Sequence, residues 1–325
     1  MNTFSGKVVL LATDGSREST RAARIAVTLA EKLGTELHLV HVGPMPEEYI
    51  VPRLSIPEPE FWNMIRERAE EEAKPKLNEQ VQKIREAGGE VSEAHVRVGL
   101  PDAEIVELAE ELGAGLVVLG SRGLGPLKRA LMGSVSDSVV RHAHCPVLVV
   151  RGDGRERCYL PGRILLATDG SEEADAATRA AVEIANATGS ELHVLFALFI
   201  DETLPYPHPY ARERWETSVE QAKHRAREFV GEQAERIEAE GGNVARAHLA
   251  FGTPDQEIVK LGEELDAGII VVGSRSLGGV RRALLGSVSG SVVRHAHGPV
   301  LVVREDGHRD AAARVGEERE RSLER

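Results

Sequence analysis

The chain has 325 residues, of which 42% are hydrophobic, 28% charged and 4% aromatic, and its formal net charge is −12 at pH 7. This length is enough for two domains of about 150 residues, each with its own core. The negative charge argues against a general nucleic-acid-binding protein, because such proteins carry a basic surface. It leaves room for an anionic small ligand, since oriented backbone N–H groups are sufficient to bind one.

The sequence also gives no indication of a membrane span, a signal peptide or a cysteine metal site. No run of 18 or more apolar residues is present, so we expect no membrane span. The first residues enter a strand pattern directly, so we expect no signal peptide. Cys145 and Cys158 have neither CxxC nor ligand spacing, and we predict no disulfide or metal site from them. A cytoplasmic location follows as the expectation.

The predicted elements of the first half alternate between strands and helices. Short apolar runs indicate buried strands, and apolar residues at helical spacing indicate helices. In chain order they are strand 7–13, helix 19–34, strand 36–42, helix 60–87, strand 90–99, helix 101–113, strand 116–121, helix 134–143 and strand 146–150. This alternation predicts a parallel sheet with helices on both faces, whose ligands lie at the carboxyl ends of the strands.

The second half repeats the first. Residues 8–16 read VVLLATDGS and residues 163–171 read RILLATDGS. Residues 133–151 and 286–304 differ at two of 19 positions, Asp137/Gly290 and Cys145/Gly298. We therefore predict two tandem copies of one domain. The predicted divisions are a domain over 1–151, a linker over 152–161, a domain over 162–304 and a charged tail over 305–325.

A glycine motif carries the strongest indication of a ligand. Gly120-Ser121-Arg122-Gly123 is followed, nine residues later, by Gly133-Ser134. We predict that Ser134 is the N-cap of a helix whose first turn, with Val135 and Ser136, directs N–H groups toward an anion. The motif is not a P-loop, because Pro126 stands where that motif requires Lys. A glycine-rich loop with a capped helix and no ligand is the alternative.

An aspartate ends the first strand of each copy. Asp14 and Asp169 lie in the TDGS motif, where a carboxylate can accept hydrogen bonds from a base or a ribose. The alternative is a local role, with Asp14 forming an Asx turn or a helix cap and Gly15 supplying the turn.

Basic residues in the glycine loops have two possible roles. Lys128-Arg129 and Arg281-Arg282 either attract phosphate or form a solvated loop surface. Arg122 and Arg275, inside the motif, are stronger candidates for a phosphate contact.

Histidines recur near the predicted helix ends without ligand spacing. The pairs His142/His144 and His295/His297 are two residues apart, so their side chains point in different directions and we predict no metal site. His41 is expected to pack at a strand end. We find no Ser/His/Asp or Cys/His arrangement, and so predict no catalytic residues.

Three motifs in order, LLATDGS, GSRG–x9–GS and CPVLVV, make the first copy resemble a universal stress protein domain of the ATP-binding type. The resemblance covers residues 5–151 and 162–304. It implies two Rossmann-like domains of the adenine nucleotide alpha hydrolase-like class, each a five-stranded parallel sheet flanked by helices. It also implies that the last strand is a dimerisation element, so we expect the two copies to pair and the chain to form a homodimer.

The resemblance further implies an ATP site, with Mg²⁺ possible through the phosphates. Asp14 would lie near the adenine and Val42 beside the base, while Gly120, Gly123, Gly133 and Ser134 would hold ribose and phosphates. The implied residues of the first copy are Thr13, Asp14, Val42, Gly120, Ser121, Arg122, Gly123, Gly133, Ser134, Val135 and Ser136. Those of the second are Thr168, Asp169, Ala197, Gly273, Ser274, Arg275, Gly286, Ser287, Val288 and Ser289.

The second copy departs from the motif at Ser276, which replaces the second glycine. If that position needs a positive φ, serine costs on the order of 1 kcal/mol, or about tenfold in affinity. Val42 is also replaced by the smaller Ala197.

Three functions compete at this point. The first is an ATP-binding stress-response protein that acts by nucleotide-dependent association without turnover. The second is a nucleotide-free interaction scaffold of the same fold. The third is an ATP pyrophosphatase or adenylating enzyme, which we do not expect because TDGS stands where those enzymes carry SGGxDS; slow ATP hydrolysis at a binding site stays compatible with the first.

Overall fold

The computed structural model of the chain describes seven segments, residues 3–4, 6–44, 59–121, 132–151, 162–200, 211–274 and 285–304. Its strands are β1 (Val9–Ala12), β2 (Leu37–Gly43), β3 (Glu93–Val98), β4 (Leu116–Gly120), β5 (Val147–Val150), β6 (Arg163–Ala167), β7 (Glu191–Leu198), β8 (Val244–Phe251), β9 (Ile269–Gly273) and β10 (Val300–Val303). Its helices are α1 (Arg17–Leu33), α2 (Pro59–Glu86), α3 (Pro101–Glu111), α4 (Ser134–His142), α5 (Glu172–Thr188), α6 (Ala211–Ala239), α7 (Pro254–Glu264) and α8 (Ser287–His295).

Local sequence accounts for the bounds of α1. Its N-cap is Ser16, whose hydroxyl accepts the N–H of Ser19 at 3.1 Å. Gly34 ends the helix in the left-handed conformation, with φ +64. The predicted helix began at Ser19, two residues too late, because the polar residues of the first turn follow the cap and carry no apolar periodicity. The second copy caps α5 in the same way, with Ser171 and Gly189.

The two copies have the same strand order. Within the described residues the sheet runs β3-β2-β1-β4-β5-β10-β9-β6-β7-β8, and the pairs inside each copy are parallel. The predicted α/β class, with a parallel sheet flanked by helices in each tandem domain, is confirmed. In each copy the second and third strands lie on one side of the first strand, and the fourth and fifth strands lie on its other side. The strand order therefore reverses at a switch point next to the first strand. This switch point lies between β1 and β4, and between β6 and β9, where doubly wound sheets bind ligands.

The last strands of the two copies join their sheets. β5 and β10 pair antiparallel, with Leu148 opposite Leu301, and both side chains are fully buried. Arginines flank this pair on both sides. Arg304 donates to the carbonyl of Arg141 at 2.6 Å, at the end of α4, and Arg151 donates to the carbonyls of Arg294 and Ala296 at the end of α8. Each copy thereby satisfies carbonyl groups that helix geometry leaves without partners in the other copy.

The hydrophobic core is continuous across the junction on both faces of the sheet. On one face, Leu11 and Leu148 belong to the same buried cluster as Leu166 and Leu301, beneath α1, α2, α5 and α6. On the other face, residues of both copies form a second cluster beneath α3, α4, α7 and α8. Phe4 is also fully buried, and its backbone N–H donates to Glu183 of α5. Thr3 and Phe4 therefore contact the second copy.

Among the helices of the described segments, none is long and apolar enough to cross a membrane.

Candidate functional site

The first loop of the site follows β1 at the carboxyl end of the sheet. Thr13 is buried, and its N–H donates to the carbonyl of Val40 at 2.9 Å. The half-buried Asp14 accepts the N–H of Ser16 at 3.0 Å, and Gly15 has φ +80. This is an Asx turn, so the local role that the sequence left open for Asp14 is present in the structure.

The start of α4 is anchored to the end of β4. The N–H of Gly133 donates to the carbonyl of Ser121 at 2.8 Å, and the hydroxyl of Ser136 donates to the same oxygen at 2.9 Å. Gly133, with an extended backbone, is the N-cap, so the prediction that Ser134 has this position was wrong by one residue. Ser134 is the first helical residue and is exposed. The unpaired N–H groups of the first turn and the positive end of the helix dipole lie at this edge.

Two side chains of the first turn face inward. The hydroxyl of Ser136 is bound to backbone carbonyls, and Val135 packs against the hydrophobic core. In the second copy, Ser289 donates to the carbonyl of Gly273 at 2.6 Å, and Val288 packs against the same core. These residues can therefore offer a ligand their backbone N–H groups, while their side chains hold the helix in place.

Gly120 and Gly273 are required by the packing of a helix against a strand. A Cβ on Gly120 would lie 2.9 Å from the backbone nitrogen of Ser19 and from the backbone carbon of Glu18. A Cβ on Gly273 would lie 2.9 Å from the carbonyl oxygen of Glu173. Backbone contacts this short leave no space for any side chain. Both glycines allow α1 and α5 to approach the sheet at the switch point, whether or not a ligand binds.

The second copy repeats the first loop and the anchored helix start, and differs at the hydroxyl of Ser274, which follows β9. Thr168 is buried, and the carboxylate of Asp169 accepts the N–H and the hydroxyl of Ser171, at 3.1 and 2.7 Å. The N–H of Gly286 donates to the carbonyl of Ser274 at 2.8 Å, which anchors α8 and exposed Ser287. The buried hydroxyl of Ser274 has no hydrogen-bond partner within the described segments.

The walls beside the first loop differ between the copies. Val42 and Ala197 are half-buried near the ends of β2 and β7. His41 is buried, as predicted, and its Nδ1 lies 2.8 Å from the carbonyl oxygen of Thr13. Its counterpart is Phe196, whose ring packs on Phe229 with a centroid separation of 4.7 Å.

Two side chains close to the glycine turns escaped the sequence analysis. Phe229 lies 3.0 Å from the Cβ position of Gly170, and Gln80 lies 3.4 Å from that of Gly15. Both belong to the long helices α2 and α6. Aligning the two copies would have drawn attention to Phe196, but no spacing in the sequence points to the long helices.

The two copies also differ in charge at the start of the anchored helix. In α4, Asp137 pairs with Arg141 at 2.8 Å. This hydrogen bond raises the pKa of the Arg141 guanidinium. In α8 the position of Asp137 is taken by Gly290, so the first turn carries no acidic residue there. The second copy thus has the more positive helix start, while the first has the complete glycine motif.

Several predicted residues lie outside the described segments. The structure therefore gives no positions for Arg122, Gly123, Arg275, Ser276, Lys128, Arg129, Arg281 and Arg282.

The histidines at the ends of α4 and α8 contact separate partners. His142 lies 2.8 Å from the carbonyl oxygen of Ser138, and His144 lies 2.8 Å from a carboxylate oxygen of Glu110. His295 and His297 repeat these contacts with Ser291 and Glu263. The members of each pair point in different directions, as the two-residue spacing predicted.

The strand order and the site together define a class of protein. Each copy is a Rossmann-like α/β domain whose first loop, fourth strand and anchored helix meet at the switch point. The sequence model of the universal stress protein family matches residues 6–151 and again residues 161–304. The chain belongs to the universal stress protein family and contains two tandem copies of its domain.

Individual relatives match either nearly the whole chain or a length close to that of one copy. A universal stress protein of Mycobacterium tuberculosis (strain ATCC 25618 / H37Rv) is 32% identical over 305 residues, covering 91% of this chain and 97% of that protein. One from Methanocaldococcus jannaschii is 35% identical over 150 residues, 46% of this chain and 85% of that protein. The crystal structure of a universal stress protein from Archaeoglobus fulgidus DSM 4304 has a TM-score of 0.64 and 28% identity, and covers 94% of this chain and all of that one.

Proposed function

We propose that the protein is a cytoplasmic stress-response protein that binds ATP in its first copy and acts by nucleotide-dependent association, without catalytic turnover. Membership of the universal stress protein family supports the stress-response role. The protein partner and homodimer that this function requires are part of the proposal, as is Mg²⁺ bound through the phosphates.

One observation carries the proposal for ATP. The start of α4 is held at the end of β4 by two hydrogen bonds to one carbonyl, that of Ser121, from Gly133 and Ser136. This fixes a row of backbone N–H groups and the positive end of a helix dipole at the switch point. Such a start is pre-organised for phosphate, because no side chain needs to rearrange when the anion binds.

Residues at the same edge of the sheet can contact the other parts of the nucleotide. In this proposal Val42 packs beside the base, Asp14 faces the adenine end, and the anchored turn at Gly133 and Ser134 holds the phosphates. Asp14 can accept a further hydrogen bond while it forms its Asx turn, because a carboxylate has about four lone-pair sites.

For the second copy we propose weaker binding. Ser276 replaces the second glycine of the motif, and Ala197 offers a smaller wall than Val42. Phe229 lies 3.0 Å from the Cβ position of Gly170 and packs on Phe196, which takes the position of His41 in the first copy. These changes outweigh the more positive start of α8, because the helix dipole contributes about 0.3–1 kcal/mol at an exposed site.

Calorimetric titration of ATP with Mg²⁺ into the nucleotide-stripped chain tests the proposal. Ser134→Asp is the decisive variant, because Ser134 is exposed and a carboxylate at a helix start stabilises the helix while it repels phosphate. We expect a loss of affinity of at least tenfold. Ser287→Asp is the matched control in the second copy and should leave the stronger site unchanged. Absence of binding at millimolar ATP would contradict the proposal.

The structure also gives specific support to a nucleotide-free interaction scaffold. Close packing accounts for Gly120 without a ligand, and the Asx turn does the same for Asp14. In the titration, this alternative predicts no heat of binding for the unmodified chain or for either serine variant.

A further inference from the structure

Two histidines and a glutamate lie together between β2 and β3, near the amino end of β2. His38 is the second residue of β2, and in the register of the sheet it lies opposite Glu93. His95 is two residues further along β3, so its side chain is on the same face as that of Glu93. Val42 is four residues further along β2, about 13 Å away. This cluster is therefore separate from the proposed nucleotide site.

The three side chains bring one ligand atom each to a common point. His38 Nδ1 lies 3.0 Å from His95 Nε2 and 3.8 Å from a carboxylate oxygen of Glu93. The same oxygen lies 4.0 Å from His95 Nε2. In a tetrahedral zinc site with bonds of about 2.1 Å, neighbouring ligand atoms are about 3.4 Å apart. The observed separations require shifts of about half an ångström to match this geometry.

A second carboxylate orients His38 for such a site. His38 Nε2 lies 3.4 Å from a carboxylate oxygen of Glu36. When this nitrogen carries the proton and donates to Glu36, Nδ1 keeps its lone pair for a metal ion. Metal-bound histidines commonly make this contact to a carboxylate through their second ring nitrogen.

The cluster combines burial with access to solvent. The His38 side chain is 7% exposed and that of His95 is 15% exposed, whereas that of Glu93 is 61% exposed. The two imidazoles are held by the sheet, and an ion can enter from the side of the carboxylate. Three protein ligands would leave a fourth position for water.

The second copy retains the histidines but has an arginine in place of one of the two carboxylates. His193 Nδ1 lies 2.9 Å from His248 Nε2, as in the first copy. The residue opposite His193 is Arg246, however, where the first copy has Glu93. Glu191, the counterpart of Glu36, lies 3.7 Å from His193 Nε2 and is also paired with Arg163 at 3.0 Å. The histidine pair and the glutamate two residues before it are thus common to both copies, whereas Glu93 distinguishes the first copy.

We propose that the first copy binds one transition-metal ion, Zn²⁺ in preference to Mg²⁺ or Ca²⁺, through His38 Nδ1, His95 Nε2 and the Glu93 carboxylate. Imidazole nitrogen selects zinc-like ions over the hard alkaline-earth ions. Glu36 is a positioning residue that keeps His38 in the required tautomer. The ion joins β3, at one end of the sheet, to β2. The second copy binds no ion at the equivalent place, because Arg246 puts a positive charge there.

The test is a calorimetric titration of Zn²⁺ into the full chain after chelator treatment, together with the visible absorption spectrum of the Co²⁺-loaded chain. We expect one zinc ion per chain at the site and a Co²⁺ spectrum of four-coordinate nitrogen and oxygen ligation. Glu93→Gln keeps the shape of the side chain and should weaken zinc binding more than tenfold. Glu36→Gln should weaken it about 10- to 100-fold. Thermal unfolding in the presence of chelator verifies that both variants fold.

The second copy provides the gain-of-function control. In the double variant Arg163→Val/Arg246→Glu, both positions carry the residue types of the first copy, and we expect a second zinc ion per chain. Zinc that binds equally to the unmodified chain and to Glu93→Gln would overturn the proposal, because the ion would then lie elsewhere. The absence of zinc binding at about 100 μM, or of a second ion in the double variant, would also overturn it.

Discussion

The glycine at position 120 can be explained either by ligand binding or by helix packing. In the sequence it belongs to a glycine motif typical of phosphate loops, and in the structure it allows α1 to lie against β4. A substitution at Gly120 would disturb the fold and the site together. It would therefore be a poor probe of nucleotide binding, and the exposed Ser134 is the better one.

The packing role of Gly120 predicts a loss of stability. Gly120→Ala would place a Cβ 2.9 Å from backbone atoms of Glu18 and Ser19, and we expect a cost of about 1–3 kcal/mol in the free energy of unfolding. Gly231→Ala is the matched control. It lies inside α6 with nothing within 4 Å of its Cβ position, so it should stabilise the chain by about 0.5–1 kcal/mol. Urea unfolding measures the free energy of unfolding of both variants. Equal changes in the two would refute the packing role of Gly120.

His248 connects stability to pH in the second copy. Burial lowers its pKa, as do the neighbouring His193 and Arg246, while Glu264 acts in the opposite direction. The folded state therefore favours neutral His248. Its contribution to stability is complete above the unfolded pKa of about 6.5 and is lost as the pH falls below that value, because the unfolded chain binds the proton first.

We therefore expect His248→Gln to reduce the loss of stability on acidification. Urea unfolding of the unmodified chain and the variant at about pH 7.5 and about pH 5.5, on either side of the ordinary histidine pKa, measures this. The free energy by which the unmodified chain exceeds the variant in stability should be smaller at the lower pH. A difference that is the same at both values would show that His248 does not titrate in this way.

At the scale of elements, the sequence predicted the alternation of strands and helices because buried parallel strands and amphipathic helices have distinct apolar patterns. Element ends were less predictable. β3 begins at Glu93, three residues later than predicted, since Val91 is buried beside the strand without being part of it. The N-cap of α4 is Gly133 although Ser134 is the more common capping residue, because the hydrogen bond from Gly133 to Ser121 sets the start of the helix.

Contacts between distant residues could not be derived from spacing. His38 and His95 are 57 positions apart, and they meet because β2 and β3 are neighbours in a particular register. The same holds for Arg304, which reaches α4 over 163 positions. The motifs of the proposed nucleotide site were accessible because each lies within a short stretch of chain at a strand end.

At the scale of the whole molecule, the paired strands β5 and β10 predict cooperative unfolding. Arg304 and Arg151 hold the ends of α4 and α8 across the junction. We expect Arg304→Ala to lower the free energy of unfolding by about 1–3 kcal/mol, because the partly buried carbonyl groups of Val140 and Arg141 lose this donor. Scanning calorimetry of the variant should still give one transition at a lower temperature, whereas two separated transitions in the unmodified chain would contradict the continuous core. Arg163→Ala is the control and should have a smaller effect, because its ion pair with Glu191 and its hydrogen bond to the carbonyl of Leu265 are both exposed.

The junction of β5 and β10 within one polypeptide has a consequence for how the protein diversifies. When two identical chains pair through such strands, every inherited substitution occurs in both partners at once. Here the partners are encoded separately, so one half can change while the other keeps its ancestral chemistry. Glu93 against Arg246 and His41 against Phe196 are differences of a kind that two identical chains could not show. A tandem repeat paired in this way resembles a heterodimer more than a symmetric pair, and its halves can divide their tasks.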